Sequence, residues 1–531
     1  MKKIKELVKK IKYIHVFWSF FYLLIFSILI HNGFSYLDPD FGWHLKVGEE
    51  INRTYEVPEK NIYNYTYTDN WVDHEWLSNY LIFHGYQEMG YPILVIIFAI
   101  LIILVLIVLN YQVQKHSLKK ITPYLVAVFQ LLAVIAALPH FGVRIQEVAL
   151  LFVLLVLTII NQYQKKQDWR ILLLLPPLLY LWSCLHGSFL IGFFILFSWI
   201  FIKIFEKITK KTSFLQIFDH SEIISAKKIF YFFIFTTASF IATLITPYGP
   251  DLYNFLNGYR NNAYLSIITE WLPQSALPLH FYQLAYLAIG LTAVFLYFSS
   301  QKQKIKIWKI FLLIVFAVLS FKSRRHFPLF IVVSFGFIIE IYSNFFQEIK
   351  NSYFYLLRYL IIFCLVVVIF IQLFSTRFTN TPVESYCKDY PCAGVNFLKN
   401  NPEYLNQNIF NHYGWGGFLI WDLPNKLLFI DGRLPQVSFA NWTFIEEYRD
   451  FFSTNKPVQE KLTKYNIGLV LIPQKDDYYQ PKKWEKFLFT IKNQKLKPIN
   501  KLREHLDGSS NWQVIYEDNV SKIYFYQPEK H

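Results

Sequence analysis

The run Asp38-Pro39-Asp40-Phe41-Gly42-Trp43-His44-Leu45 follows directly on an apolar stretch that ends near residue 37. Two carboxylates at i and i+2 can face one cavity when Pro39 stiffens the link between them. Such a pair can take a proton from a hydroxyl as a general base. It can equally offer oxygen ligands to a divalent cation such as Mg or Mn, and the residue types leave both roles open. Asp40 also stands where it could simply cap a short interfacial helix carrying Phe41, Leu45 and Val47. Downstream, residues 62–68 read as extended. The run Trp71-Val72-Asp73-His74-Glu75-Trp76-Leu77 then opens a second amphipathic helix with Leu77, Leu81 and Ile82 on one face. There Asp73 could be the cap and Glu75 a partner of the helix dipole. The whole segment 38–90 holds ten acids and three bases, a net charge of −7.

A second group of residues has the opposite charge. Arg144 lies in Pro139-His140-Phe141-Gly142-Val143-Arg144, and Arg324 and Arg325 lie in Lys322-Ser323-Arg324-Arg325-His326, each between two apolar runs. Arginine beside an apolar span is costly unless paired or wetted. A phosphate at the bilayer surface is one reason to keep it there, since a guanidinium binds phosphate through two parallel hydrogen bonds. Pairing with a carboxylate of the acidic loop, or contact with a lipid headgroup, is the alternative.

The elements that must position these groups are membrane spans. Of the 531 residues 54% are hydrophobic and 20% aromatic, and only 17% are charged, against about 25% in a typical soluble domain. Disorder, collagen and coiled coil are excluded by the same numbers. A net charge of +15 in such a chain does not speak for a nucleic-acid partner. Runs of about 20 apolar residues are needed to cross a bilayer. Eleven are legible, near 16–37, 91–109, 123–140, 145–161, 171–185, 187–203, 229–247, 281–299, 308–321, 327–345 and 355–375. The N-terminal stretch and alternate loops carry 24 Lys or Arg, and the opposite loops only eight. The positive-inside rule therefore predicts a cytoplasmic N-terminus and a multi-pass protein of the cytoplasmic membrane. Eleven crossings leave residues 376–531 outside, beyond a membrane domain of residues 1–375 that includes the outer loop 38–90. Strand-like runs near 466–472, 512–517 and 522–527 alternate with polar helical stretches, so the expected outer domain is small and α/β. Leu427-Leu428-Phe429-Ile430-Asp431-Gly432-Arg433 reads as a further strand closed by an Asp-Gly turn. Cys387 and Cys392 are placed either to pair in an oxidising space or to remain two thiols.

An acidic pair and outer arginines at one membrane face suit transfer of a sugar from a lipid phosphate. That leaving group departs without protonation, so the reaction needs one carboxylate base for the acceptor hydroxyl and cations for the developing phosphate charge. With these residues the chain resembles the GT-C superfamily of membrane glycosyltransferases, in its bacterial multi-pass members. The resemblance is a pattern along the chain: the Asp38–Leu45 and Trp71–Leu77 runs, Arg144-Ile145-Gln146, Leu181-Trp182-Ser183-Cys184-Leu185-His186-Gly187-Ser188, Thr246-Pro247-Tyr248-Gly249, Glu270-Trp271 and Arg325-His326-Phe327-Pro328.

The resemblance implies a polytopic, mainly α bundle with an outer C-terminal α/β domain. It also implies a polyprenyl-phosphate-linked sugar as donor, an acceptor outside the membrane and an inverting mechanism. Asp38 would be the base or the metal-binding acid and Asp40 its partner. Arg144, Arg324 and Arg325 are donor-phosphate candidates by placement. His44, His74 and Glu75 would support the acids or meet the acceptor. His186 would line the cavity or bond within the bundle, and Tyr248 and Glu270 sit in an outer loop, 248–280, that could cover the site. The alternatives are a transporter or flippase of a lipid-linked glycan, or a non-catalytic binding scaffold of the same fold.

Overall fold

Helices dominate the computed structural model. It describes residues 2–116, 121–209, 224–259, 263–299, 307–346, 386–434, 437–439, 442–453, 457–476, 482, 485–486 and 500–528. Through residue 346 the helices are α1 (Lys2–Ser35), α2 (Phe41–Thr54), α3 (Trp76–His116), α4 (Pro123–Ala137), α5 (Val148–Lys166) and α6 (Leu175–Leu185), then α7 (Phe189–Thr209), α8 (Ala226–Thr243), α9 (Pro250–Asn257), α10 (Phe281–Ser299), α11 (Ile307–Lys322) and α12 (Phe327–Phe346). Every expected span from 16–37 to 327–345 falls on one of these helices, and 355–375 lies outside the described residues. Among the described residues seven helices are long and apolar enough to cross a membrane, and Trp169–Leu185 is a shorter apolar piece. This is a multi-pass membrane protein.

The chain divides into two compact units. The first comprises residues 1–35, 95–246 and 280–378, the second residues 36–94, 247–279 and 379–531. The sequence boundary at 375/376 follows the expected membrane crossings. The compact units follow packing instead, so the acidic loop and residues 247–279 group with the C-terminal tail.

In the first unit the helices pack through large apolar side chains. Trp182, Trp199, Phe232 and Phe316 are wholly buried, while Phe201, Ile208, Phe230 and Phe295 stay exposed on outer faces, as lipid-facing side chains do when the surrounding solvent is hydrocarbon. Tilted rings of Trp199 and Phe232, 4.1 Å between centroids, join α7 to α8. Short turns after α4, α6 and α11 reverse the chain, so the Arg144, His186 and Arg324 turns share one end of this unit. One expectation shifts here: Lys203 and Glu206 are not loop residues but lie buried in α7.

In the second unit the tail forms the expected small α/β domain. Its sheet has the order β1 (Asn408–Asn411), β4 (Ile467–Pro473), β6 (Ser521–Tyr526), β5 (Trp512–Glu517). β1 runs parallel to β4, and the other pairs are antiparallel. The strand β4 is buried on both faces, in keeping with its unbroken Ile-Gly-Leu-Val-Leu-Ile run. A separate ribbon joins β2 (Ser438–Phe439) to β3 (Trp442–Thr443). The strand expected over residues 427–430 is absent. That segment makes one isolated bridge, from Leu428 to Asn64, and bends at Phe429. Leu428 bonds through its backbone to Tyr63 and Tyr65, Thr66 donates to the Phe429 carbonyl, and a side chain takes the rest: Asn411 Nδ2 donates to the Ile430 carbonyl and Asn411 Oδ1 accepts from Phe429 N–H. Cys387 and Cys392 form a disulfide.

α3 is broken at Gly90, whose φ of 74° interrupts the helical ladder. The break separates the amphipathic piece before it from the apolar span after it, at the boundary expected from sequence. The expected buried face is corrected, however. Leu81 is exposed, and the buried stripe is Glu75, Ser78, Asn79 and Ile82. The helix turns polar side chains inward because they have partners there.

Candidate active site

The site is built on the start of α2. Asp40 occupies the cap position of that helix, but its side chain makes no capping bond. Asp38 Oδ1 instead accepts the Asp40 N–H at 2.9 Å, and Asp40 Oδ1 accepts the Trp43 indole N–H at 3.0 Å. The cap reading is thus right about position and does not account for the carboxylate. The Asp40 carboxyl is pushed up to about 7, first by burial, then by the neighbouring Asp38 charge, with Glu75 and Glu270 adding to it and the Trp43 hydrogen bond opposing. Four acids therefore act on one another here, drawn from α2 and its approach, the start of α3, and the Thr269–Trp271 turn.

A buried polar chain stands behind them. His44 Nδ1 lies 2.6 Å from Asn79 Oδ1, and Asn79 Nδ2 donates to Asp73 Oδ2 at 2.8 Å. Asp73 Oδ1 also accepts the Glu75 N–H. Because the Asn79 amide nitrogen is committed to Asp73, its oxygen faces His44, which must carry its proton on Nδ1. Burial lowers the His44 pKa, so this histidine is neutral and presents Nε2 as an acceptor. Burial likewise raises Asp73 to about 6, against the His74 charge and the Asn79 hydrogen bond. His74 Nε2 pairs with Glu75 Oε1 at 3.1 Å, and the His74 ring meets Phe255 of α9 at 5.3 Å. Tyr248 donates its hydroxyl to the Pro58 carbonyl at 2.6 Å, which makes it an anchor of the loop 56–60. Glu270 lies within electrostatic reach of Asp40 and Tyr413.

The tail supplies the opposite wall, of which the sequence shows only the Asp431-Gly432 turn. The helix Gly416–Asp422 lies against α2 through paired glycines. A Cβ on Gly42 would collide with the Gly417 carbonyl, and one on Gly417 with the Pro39 carbonyl. A Cβ on Gly432 would strike the Asp40 carboxylate. The Asp-Gly turn is therefore the seat of Asp40. Its neighbours hold it: Arg433 is paired with Asp431 at 2.7 Å, donates to Asn64 Oδ1, and lies over Tyr63 and Trp71 at 4.6 and 4.8 Å. The signal in the sequence was a short glycine placed where a backbone must come close. Gly417→Ala should lower full-chain stability by about 1–3 kcal/mol through overpacking, read as an earlier thermal unfolding midpoint in detergent. An unchanged midpoint would mean the two helices can separate at no cost.

In the helical unit, Arg144 and Arg324 are buried and Arg325 is half-buried. Arg144 reaches the Pro139 carbonyl at 3.4 Å, and the adjacent His140 meets Gln283 of α10 at 3.0 Å. His280, one turn before Gln283, has its pKa lowered by burial and by the Arg324 charge. The turns bearing Arg144 and Arg324 thus both lie against the start of α10. His186 ends α6. Its Nδ1 accepts the Ser188 N–H at 3.0 Å while Trp182 donates to the Ser188 hydroxyl, so it shapes the reversal into α7.

Among the described residues no three His, Cys, Asp or Glu side chains are grouped as a metal site. Mg is commonly held by one or two carboxylates together with waters and substrate phosphates. Burial and then the Asp38 charge raise Asp40, and a cation would offset both, so Asp38 and Asp40 fit that role as a pair.

No protein-family model matches the sequence, and no curated protein sequence does. Solved structures do match. The apo crystal structure of the Archaeoglobus fulgidus oligosaccharyltransferase has a TM-score of 0.51 at 12% identity, covering 93% of this chain and 79% of that one. The archaeal oligosaccharyltransferase AglB from the same organism, in complex with an inhibitory peptide and a dolichol-phosphate, gives 0.48 at 12%, covering 93% and 79%. The A. fulgidus enzyme tethered to an acceptor peptide containing the NVT sequon gives 0.46 at 13%, covering 85% and 68%. The apo structure matches along nearly the whole of this chain, and the chain shares its fold.

Proposed function

We propose that this protein is a membrane glycosyltransferase that moves a sugar from a polyprenyl-phosphate donor to an acceptor on the outer face of the cytoplasmic membrane. The observation that carries the reading is the Asp38–Asp40 pair, in which the Asp40 carboxylate makes no capping bond and is seated on Gly432, within a GT-C fold. The Cys387–Cys392 disulfide supports an oxidising location for the tail, and the basic loops support a cytoplasmic N-terminus. In the reaction an acceptor oxygen bonds to the anomeric carbon as the bond to the phosphate oxygen breaks. Direct displacement of this kind inverts the anomeric centre.

Asp38 takes the acceptor proton as it is lost, and Asp40 shares the charge. Glu75, set by His74, and Glu270 stand beside the pair to meet acceptor hydroxyls, while neutral His44 holds α2 to Asn79. By their placement between apolar runs of the sequence, Arg144, Arg324 and Arg325 are the proposed contacts of the donor phosphate. A divalent ion, when bound by Asp38 and Asp40, would supply further positive charge to that phosphate.

The test is transfer from a defined polyprenyl-phosphate sugar by the purified full chain, followed over pH. Since the raised Asp40 carboxyl ionises near 7, transfer should fall about tenfold per pH unit below that point and flatten above it. Asp40→Asn should abolish this acid limb. A rate independent of pH between 5 and 8, scanned in about half-unit steps, would remove Asp40 from the mechanism. The stability sign is opposite. A carboxyl raised in the folded state contributes stability at pH below its unfolded value and loses it as pH rises through about 7.

A further inference from the structure

The helical unit contains a cavity of about 230 Å³ between α3, α5, α7, α11 and α12. It lies at the end opposite the Arg144 and Arg324 turns, the end whose loops carry the lysines. Its lining changes character with depth, and three helices agree on the direction. On α5 it runs from Leu157 to Lys165, on α12 from Val332 to Glu340, and on the antiparallel α11 from Leu312 back to Lys309. The deep part is apolar and the mouth is charged. That is the polarity profile of a membrane lipid whose headgroup sits at the bundle end.

Two observations show that the charged part is built. Lys203 and Glu206 are 3% and 4% exposed and pair at 2.8 Å. With its amide turned to accept, Gln164 takes the Lys203 ammonium at 3.3 Å and the Trp199 indole at 3.2 Å. A buried ion pair is seldom retained for stability alone, because desolvation offsets most of its attraction. The second observation is Gly336 of α12, a lining residue where a Cβ would meet nothing within 4 Å among the described residues. The wall has no side chain where one would fill the cavity.

The lining carries Lys165, Lys203 and Lys309 against Glu206 and Glu340, with Lys309 and Glu340 pairing at 3.6 Å. With two of the lysines paired to glutamates, the excess is the one positive charge of Lys165, and a phosphate can share the paired ammonium groups. We propose that this cavity binds the headgroup of an anionic phospholipid at the lysine-rich membrane face, with the phosphate beside Lys203 and Lys309 and the glycerol region against the apolar floor. Free phosphate would leave that floor unfilled.

The test is native mass spectrometry of the full chain in neutral detergent with added phosphatidylglycerol or phosphatidylcholine. Wild type should retain phosphatidylglycerol about tenfold better, as expected from one or two lysine contacts. Gly336→Phe, which fills the space, should abolish the difference. The double variant Lys203→Met/Glu206→Met removes both charges together and should also reduce it, and it carries the test if Gly336→Phe does not fold. Equal retention of the two lipids by wild type, or an unaltered preference in the folded variants, overturns the proposal. Displacement of phosphatidylglycerol by millimolar inorganic phosphate overturns the lipid assignment.

Discussion

Asp38→Asn should lower sugar transfer by about 10²–10⁴-fold, the range for loss of a positioned base, and leave the chain folded. The asparagine side-chain oxygen can still accept the Asp40 N–H that Asp38 Oδ1 accepts at 2.9 Å, so the approach to α2 keeps its geometry. What goes is the lone pair basic enough to take a proton. The substitution also removes the charge that, after burial, does most to raise Asp40. Burial still raises the Asp40 carboxyl, so the acid limb of the residual activity should move below 7 and not disappear. Single-turnover measurement with a defined polyprenyl-phosphate sugar reads both effects. Wild-type transfer by Asp38→Asn would remove the assignment of Asp38 as base.

Arg433→Met should destabilise the chain by about 3–5 kcal/mol, the cost of stranding one member of a buried ion pair. The side chains of Arg433 and Asp431 are 1% and 0% exposed, so the orphaned Asp431 has no water to turn to. The same arginine crosses to Asn64, Tyr63 and Trp71, so its loss should also loosen the acidic loop around residues 61–71. The double variant Arg433→Met/Asp431→Leu removes both charges and should recover much of the loss. Thermal unfolding and limited proteolysis of the full chain compare the two. If the double variant is no more stable than the single one, the ion pair is not the reason Arg433 matters, and its packing over the two aromatic rings is.

The helices were legible because hydrocarbon leaves little choice: a long apolar run must satisfy its backbone within itself. The strands β4, β5 and β6 were legible for a related reason, since unbroken or alternating apolar runs fall between turn residues. The expected strand at 427–430 failed although its composition is equally strand-like. The Asn411 side chain takes the Phe429 N–H and the Ile430 carbonyl, from 18 or 19 residues away in sequence, and only Leu428 is left to pair with backbone. The face assigned to the helix after Trp76 failed similarly. Periodicity counts apolar residues, whereas burial there follows the hydrogen bonds of Asn79 and Glu75.

From sequence alone came the membrane spans, the small α/β tail, the acidic loop and the identity of Asp38 and Asp40 as the residues whose types suit the chemistry. These follow from local composition and from the energetics of a charge beside an apolar run. Only the tertiary structure decided what Asp40 does at its helix start, which glycines let the tail approach it, and that Glu75 and Glu270 join its electrostatic neighbourhood. The reason is physical. A carboxyl's ionisation depends on burial and on charges brought near by folding, and a glycine's necessity depends on which backbone passes within van der Waals distance. Neither quantity is written in the spacing of residues along the chain.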